Sequence, residues 1–173
     1  MPASYQAPMR KDSEKKRTSS QSVSSNTGSE FLTVAHVLEG KVGTVFSITP
    51  DETLGQAVQA LKEKGIGALI VTDAGGKLCG ILSERDIVRK LADTPGQTLP
   101  QKVGDVMTRN VQTCVPSAPL VSVLKTMNIG KFRHMPVVEG ETLLGMITIG
   151  DVVSFRLNEL EHEAMQLKQL IVG

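Results

Sequence analysis

Between Val45 and Phe155 the apolar positions follow two rhythms, and each is used twice. One rhythm is the short continuous run. Val45 to Thr49, "IGALIVT" from Ile66, "KLCGILS" from Lys77, Val111 to Val115, "HMPVV" from His134 and "TLLGMIT" from Thr142 are rich in branched residues and bounded by Gly, Pro and Asp. Such runs predict strands, with "DAGGK" from Asp73 and "EGE" from Glu139 as the tight turns. The other rhythm is helical. Leu54, Ala57, Val58 and Leu61 share one face behind the capping box Thr53-x-x-Gln56, and Gly65 is a natural stop. Leu120, Val123, Leu124 and Met127 repeat that face behind Pro119, whose fixed φ suits a first helical turn. A further helix is predicted after each of the stretches "GILSERD" and "GMITIGD". The order is β-α-β-β-α, twice, a mixed α/β (α+β) fold.

The two halves are an internal repeat. Pro50 aligns with Pro116, Leu54 with Leu120 and Val71 with Val137. After one deletion near Ala74, Leu78 aligns with Leu143, Gly80 with Gly145, and Asp86 with Asp151, at an offset of 151 − 86 = 65. Upstream, "VAHVL" from Val34 matches "VGDVM" from Val103. Two copies are too few for a solenoid and suit a pseudo-twofold pair that buries its faces mutually. The chain divides into a tail at 1–30, a first unit at 31–95, a second at 100–156 and a C-terminal helical extension at 157–173.

Composition narrows the classes. The formal net charge of +1 gives no bulk electrostatic case for nucleic acid or for a membrane surface. Hydrophobic content is 40%, with no run long enough to span a bilayer and no apolar stretch near the N-terminus. Cys79 and Cys114 make no disulfide framework, so a soluble, cytoplasmic, reducing setting is expected. Residues 1–30 are rich in Ser, Lys and Pro and are expected to be disordered; their basic run "RKDSEKKR" is diluted by Asp12 and Glu14. "GIGALI" lies between a helix and a strand, the wrong order for a dinucleotide fingerprint. There is no phosphate-binding GxxxxGK[ST] loop and no nucleophile elbow. His36, His134 and His162 have no metal-ligand spacing. Neither an enzyme nor a metal protein is expected.

The paired motifs Gly80-Ile-Leu-Ser83-Glu-Arg-Asp86 and Gly145-Met-Ile-Thr148-Ile-Gly-Asp151, the "MT" of Met107-Thr108 and "RHMPVV" from Arg133 resemble the CBS domain, named after cystathionine β-synthase. The resemblance covers Val34 to Phe155 and implies a tandem pair, the Bateman module, standing alone.

The motifs themselves admit two roles. Ser83-x-x-Asp86 and Thr148-x-x-Asp151 match capping boxes with Asp in place of Glu, and Gly80 and Gly145 can mark close strand approach. The same geometry suits a nucleotide. A helix N-terminus and a hydroxyl favour phosphate, whereas an Asp repels phosphate and accepts from a ribose diol. The resemblance implies an adenosine ligand: AMP, ADP, ATP, an NAD-type dinucleotide such as NADH, or S-adenosylmethionine. Arg133, His134 and Arg85 are candidate phosphate cations, and Ile81, Ile147, Met135 and Pro136 candidate adenine walls that equally suit a core. The expected function is a non-catalytic regulatory sensor acting on a separate partner; the alternative is a structural dimerisation module with vestigial clefts.

Beyond Asp151 the chain continues too far for a short closing helix. Val153, Leu157, Leu160, Ala164, Leu167 and Ile171 alternate steps of four and three, a coiled-coil seam. The seam is under three heptads, too short to hold a dimer alone. The resemblance implies that CBS pairs associate through exposed helical faces, and with the seam added to such a face a homodimer is expected, the competing arrangement being a helix folded back on its own module.

Overall fold

The computed structural model describes residues 32–41 and 45–172; the expected tail at 1–30 lies outside the described residues. The chain runs α1 (Val34–Gly40), β1 (Ser47–Ile48), α2 (Leu54–Lys64), β2 (Ala68–Thr72), β3 (Leu78–Ser83), α3 (Glu84–Asp93), α4 (Val103–Val106), α5 (Leu120–Gly130), β4 (His134–Glu139), β5 (Thr142–Thr148) and α6 (Ile149–Val172). The expected β-α-β-β-α order is present in the first half; the second half keeps the α-β-β-α part without its first strand, and each half is preceded by a short helix. No helix of the described residues is long and apolar enough to cross a membrane.

Local chemistry sets the boundaries. At α2 the Gln56 N–H donates to Thr53 Oγ1 (3.2 Å), and the Gln56 side chain accepts from the Thr53 N–H (2.8 Å), the predicted capping box. Gly65 ends that helix in the left-handed region, φ 62°. At α5, Pro119 is the N-cap rather than part of the first turn, and the helix ends on Lys131, the same left-handed cap made without glycine, φ 57°.

Parallel β1 and antiparallel β3 flank β2, and β4 pairs antiparallel with β5. The strand expected over Val111 to Val115 shrinks to one parallel bridge, Cys114 to Val137. The Cys114 N–H donates to Pro136 O (3.1 Å) and Cys114 O accepts from the Val138 N–H (2.9 Å). The ladder stops on both sides for want of a donor: Pro136 has no N–H to give Gln112 O, the bond that Ile70 gives Phe46 O (3.2 Å) in the first half, and Pro116 has none to give Val138 O.

Two cores form, and each borrows a helix from the other half. Val34 and Val37 of α1, which precedes the first repeat, pack in the second core with Leu120, Met127, Val137 and Ile147. Val103 and Met107, from α4 and the residue that ends it, complete the first core with Leu54, Leu61, Leu69 and Leu82. The docking bonds are equivalent. The Val34 and Ala35 N–H groups donate to Ala118 O (3.0 Å) and Pro116 O (2.9 Å); those of Val103 and Gly104 donate to Glu52 O (2.8 Å) and Pro50 O (2.9 Å). A boundary at residue 31 is thus a boundary of sequence, not of packing.

The motif glycines admit these borrowed helices. A Cβ on Gly80 would lie 2.8 Å from both Met107 Sδ and the Thr108 carbonyl oxygen, and one on Gly145 3.1 Å from Leu38 Cδ2. The first obstacle includes backbone held by paired bonds, Ile81 N–H to Thr108 O (3.0 Å) and Thr108 N–H to Ile81 O (2.9 Å); the second is the end of a flexible side chain. Gly80→Ala is therefore expected to lower the free energy of unfolding by about 1–3 kcal/mol, the range for overpacking, with Gly145→Ala costing less. Denaturant unfolding of both variants checks this; equal losses would mean that the Thr108 backbone gives way.

Candidate functional site

Each motif is a strand-to-helix corner. At the end of β3, Ser83 caps α3, and its N–H and hydroxyl both donate to Asp86 Oδ2 (2.9 and 2.6 Å). At the end of β5, the Thr148 N–H donates to Asp151 Oδ2 (2.7 Å), and the Asp151 N–H donates to Thr148 Oγ1 (3.1 Å). The capping role is thus present at both corners. It leaves a second function open, because among the described residues Oδ1 of each Asp takes no hydrogen bond. The Ser83 hydroxyl proton, expected to face phosphate, is instead given to Asp86.

A cleft of ≈ 490 Å³ opens at the first corner. Ile81, Ser83, Arg85 and Asp86 line one side, Thr108, Asn110, Val111 and Gln112 another, and Lys131, Phe132, Arg133 and His134 a third. A second cleft, of ≈ 750 Å³, shares Arg85 and the Lys131 to His134 segment and extends to Thr148, Ile149 and Gly150. Both volumes fall within the range of small-ligand sites. Arg133 and His134 thus face both clefts.

Four cations, Arg85, Arg89, Lys131 and Arg133, line the first cleft against two carboxylates, Glu84 and Asp86. Arg85 Nη1 donates to Lys131 O (2.8 Å), which ties α3 to the second half and leaves the rest of the guanidinium available. At His134, burial, then the charge of Lys41, pushes the pKa below the ordinary histidine value; Asp151 and Glu84 pull the other way and lose, while Arg133 adds to the depression. Its ring nitrogens are available as hydrogen-bonding groups at the cleft.

Of the expected adenine walls, Ile81 lines the first cleft and the other three line neither. Met135 and Ile147 are cross-strand partners that point into the second core, 1% and 0% exposed. Pro136 points the opposite way along β4, yet it too is buried, where Cys114 pairs with it. The apolar surfaces that do reach the first cleft are Val111 and Phe132, which the strand pattern alone did not single out.

Asp151 also lines neither cleft. Lys41 Nζ donates to its Oδ2 (2.6 Å) and to Met146 O (3.0 Å). Burial raises the Asp151 pKa, but the Lys41 and Thr148 bonds outweigh it and hold the carboxyl below its ordinary range. Lys41 escaped the sequence reading because a single lysine after a glycine carries no spacing signal. Burial pushes the Cys114 thiol up to about 11, so it stays protonated. Among the described residues no group of three or more His, Cys, Asp or Glu could hold a metal ion.

Comparison with known proteins places this arrangement. The family model of the CBS domain matches residues 42–93 and 103–158. A "CBS domain-containing protein CBSX3, mitochondrial" of Arabidopsis thaliana is 32% identical over 155 residues, which cover 85% of this chain and 75% of that one. Some longer curated relatives are spanned only to 33% or 22% of their length. The crystal structure of the CBS-domain containing protein ATU1752 from Agrobacterium tumefaciens superposes with a TM-score of 0.70 at 40% identity, covering 72% of this chain and 92% of that one. CBSX2, solved in complex with AMP, gives 0.61 at 27% identity, covering 73% and 96%.

The depressed His134 pKa has a sign. The unfolded chain binds the proton more tightly, near pH 6.5, so the stability His134 contributes is in place above that value and is lost as pH falls. Thermal melts from pH 7.5 to 5.5 should show the wild type losing more stability than His134→Asn. Equal slopes would place His134 in a more watery setting.

Proposed function

The chain belongs to the CBS-domain family, and from that premise we propose that it is a non-catalytic regulatory module that takes an adenine nucleotide in the cleft at Asp86. One observation carries this reading: a carboxylate with an unbonded oxygen, at the N-terminus of α3, shares one cleft with four cations. Asp86 Oδ1 accepts from the ribose diol. Arg133 and Arg85, with Lys131 and Arg89 around them, meet the phosphate. His134 adds a hydrogen bond, and Ile81, Val111 and Phe132 face the adenine.

The charge balance favours anionic members of the class, AMP, ADP, ATP or NADH. S-adenosylmethionine is disfavoured, because its sulfonium would meet the same cations. The CBSX2 complex with AMP supports the ligand class. The bound nucleotide is read out through a partner or through assembly, with no bond made or broken.

Assembly is proposed as a homodimer. α6 runs unbroken for 24 residues, and it does not fold back. Its seam residues Val153, Leu157, Leu160, Leu167 and Ile171 are all exposed, 45–83%. A second copy of this helix covers such a stripe by the same spacing that created it. The structural-dimer alternative shares this seam and differs only in having no ligand.

Asp86→Asn should weaken AMP by about 10- to 100-fold in calorimetry, the loss of a charge-assisted hydrogen bond worth about 1.5–3 kcal/mol. Arg133→Ala should weaken AMP at least tenfold and adenosine by less than threefold. Equal losses for the two ligands would remove Arg133 from the phosphate. Light scattering should give twice the 18.5 kDa chain mass, falling to the monomer when Leu160 and Leu167 are made polar. A monomeric wild type at micromolar concentration would refute the dimer.

A further inference from the structure

The repeats duplicate the motif but not the charge around it. The cations of the first cleft, Arg85, Arg89, Lys131 and Arg133, have as counterparts in the other half Gly150, Ser154, Gly65 and Gly67. Gly130 has Lys64 as its counterpart, but that ammonium lies over the Phe46 ring (5.4 Å). The counterpart positions thus supply no cations of their own; Arg85, Lys131 and Arg133 line the second cleft as well, and Arg89 lines the first alone.

Lys41 is the counterpart of Asn110 of the first cleft, and it does at the second corner what a ligand and a backbone group do at the first. Met146 corresponds to Ile81. The Ile81 carbonyl accepts from the Thr108 N–H (2.9 Å), whereas the Met146 carbonyl accepts from Lys41 Nζ (3.0 Å). The same ammonium holds Asp151 Oδ2 at 2.6 Å, with side-chain exposures of 32% for Lys41 and 23% for Asp151. Displacing it would break two bonds to a half-buried charge and leave Asp151 without its cation, a cost that one ribose diol does not offset. Asp86 has no cation of this kind.

Resting on the nucleotide reading above, we infer that the chain holds one phosphorylated adenine nucleotide, at Asp86, and that Lys41 closes the equivalent position at Asp151 by occupying it as an internal ligand. Stoichiometry tests this. In calorimetry and native mass spectrometry of the full chain with AMP as probe, the wild type should bind one AMP per chain, and Asp86→Asn should lose it at least tenfold. Lys41→Met and Lys41→Gln, confirmed folded by thermal melts, should admit a second, weaker AMP. At that second site AMP should still bind more tightly than adenosine, because Arg85, Lys131 and Arg133 line the second cleft as well. Two AMP per wild-type chain would overturn the inference without any variant. So would folded Lys41 variants that still bind one, or a single AMP that survives Asp86→Asn unchanged. Failure of the wild type to bind AMP or adenosine at all would instead overturn the nucleotide reading on which the inference rests.

Discussion

Neither half of this protein can complete its own core. α1 and α4 are exchanged, and the rest of the architecture follows from that. Val34 and Val103, each fully buried, sit in the core of the half to which they do not belong in sequence. Four matched N–H to carbonyl bonds seat the two helix starts on the loops ahead of α5 and α2. The exchange dictates small residues elsewhere. Gly80 has no room for a side chain because Met107 Sδ and the Thr108 carbonyl oxygen lie against it, and Gly145 has little because the end of the Leu38 side chain does. A motif glycine that could pass for a loop feature is thus a packing requirement of the exchange.

The same exchange builds the clefts. Segment 108–112 follows α4, lies against β3, and so brings Asn110, Val111 and Gln112 beside Ser83 and Asp86. Residues 131–134 arrive from the other half. One cleft therefore contains parts of both repeats, and a molecule seated there bridges them. Symmetry of the backbone does not carry symmetry of chemistry with it. The two corners share their capping bonds and three cleft cations, Arg85, Lys131 and Arg133, and differ in what holds the Asp: Lys41 bonds Asp151, and among the described residues no cation bonds Asp86. Duplication supplied two frames, and substitution on the exposed rims made them unlike.

Much of this was legible in the sequence, for identifiable reasons. Capping boxes, a left-handed glycine and turn residues are local, so α2, the β2–β3 turn and both motif corners could be placed from the chain alone. Ser83, Asp86, Arg85 and Arg133, which line the first cleft, were singled out for two reasons: the repeat put the first three beside a helix start, and Arg133, ahead of a strand, is a cation that the other repeat lacks. What failed was nonlocal. Which way β4 and β5 face decides whether Met135 and Ile147 wall a cleft or fill a core, and that depends on the helices covering them. The lowered pKa of His134 depends on burial and on Lys41, which is 93 positions away in the chain. The reach of Lys41 to Asp151 depends on the exchange itself, for which the sequence offered only the likeness of "VAHVL" to "VGDVM".

The bonding around Arg133 ties the clefts to the start of α6. Its carbonyl accepts from the Ile149 N–H (3.0 Å), the first residue of α6, while its side chain lines both clefts. The equivalent bond in the other half, Glu84 N–H to Gly67 O (3.0 Å), starts α3. Arg133 thus touches both clefts with its side chain and, with its own peptide, fixes the start of the longest helix. Twenty-four residues at 1.5 Å each make that helix about 36 Å long, so a small rotation at Ile149 would become a displacement of several ångströms at Ile171. Only the first turns of α6 are packed against the module; the remainder carries the exposed apolar seam. The helix is therefore held at one end beside a charged cleft and is apolar along its unanchored length, which is the feature the proposed dimer rests on.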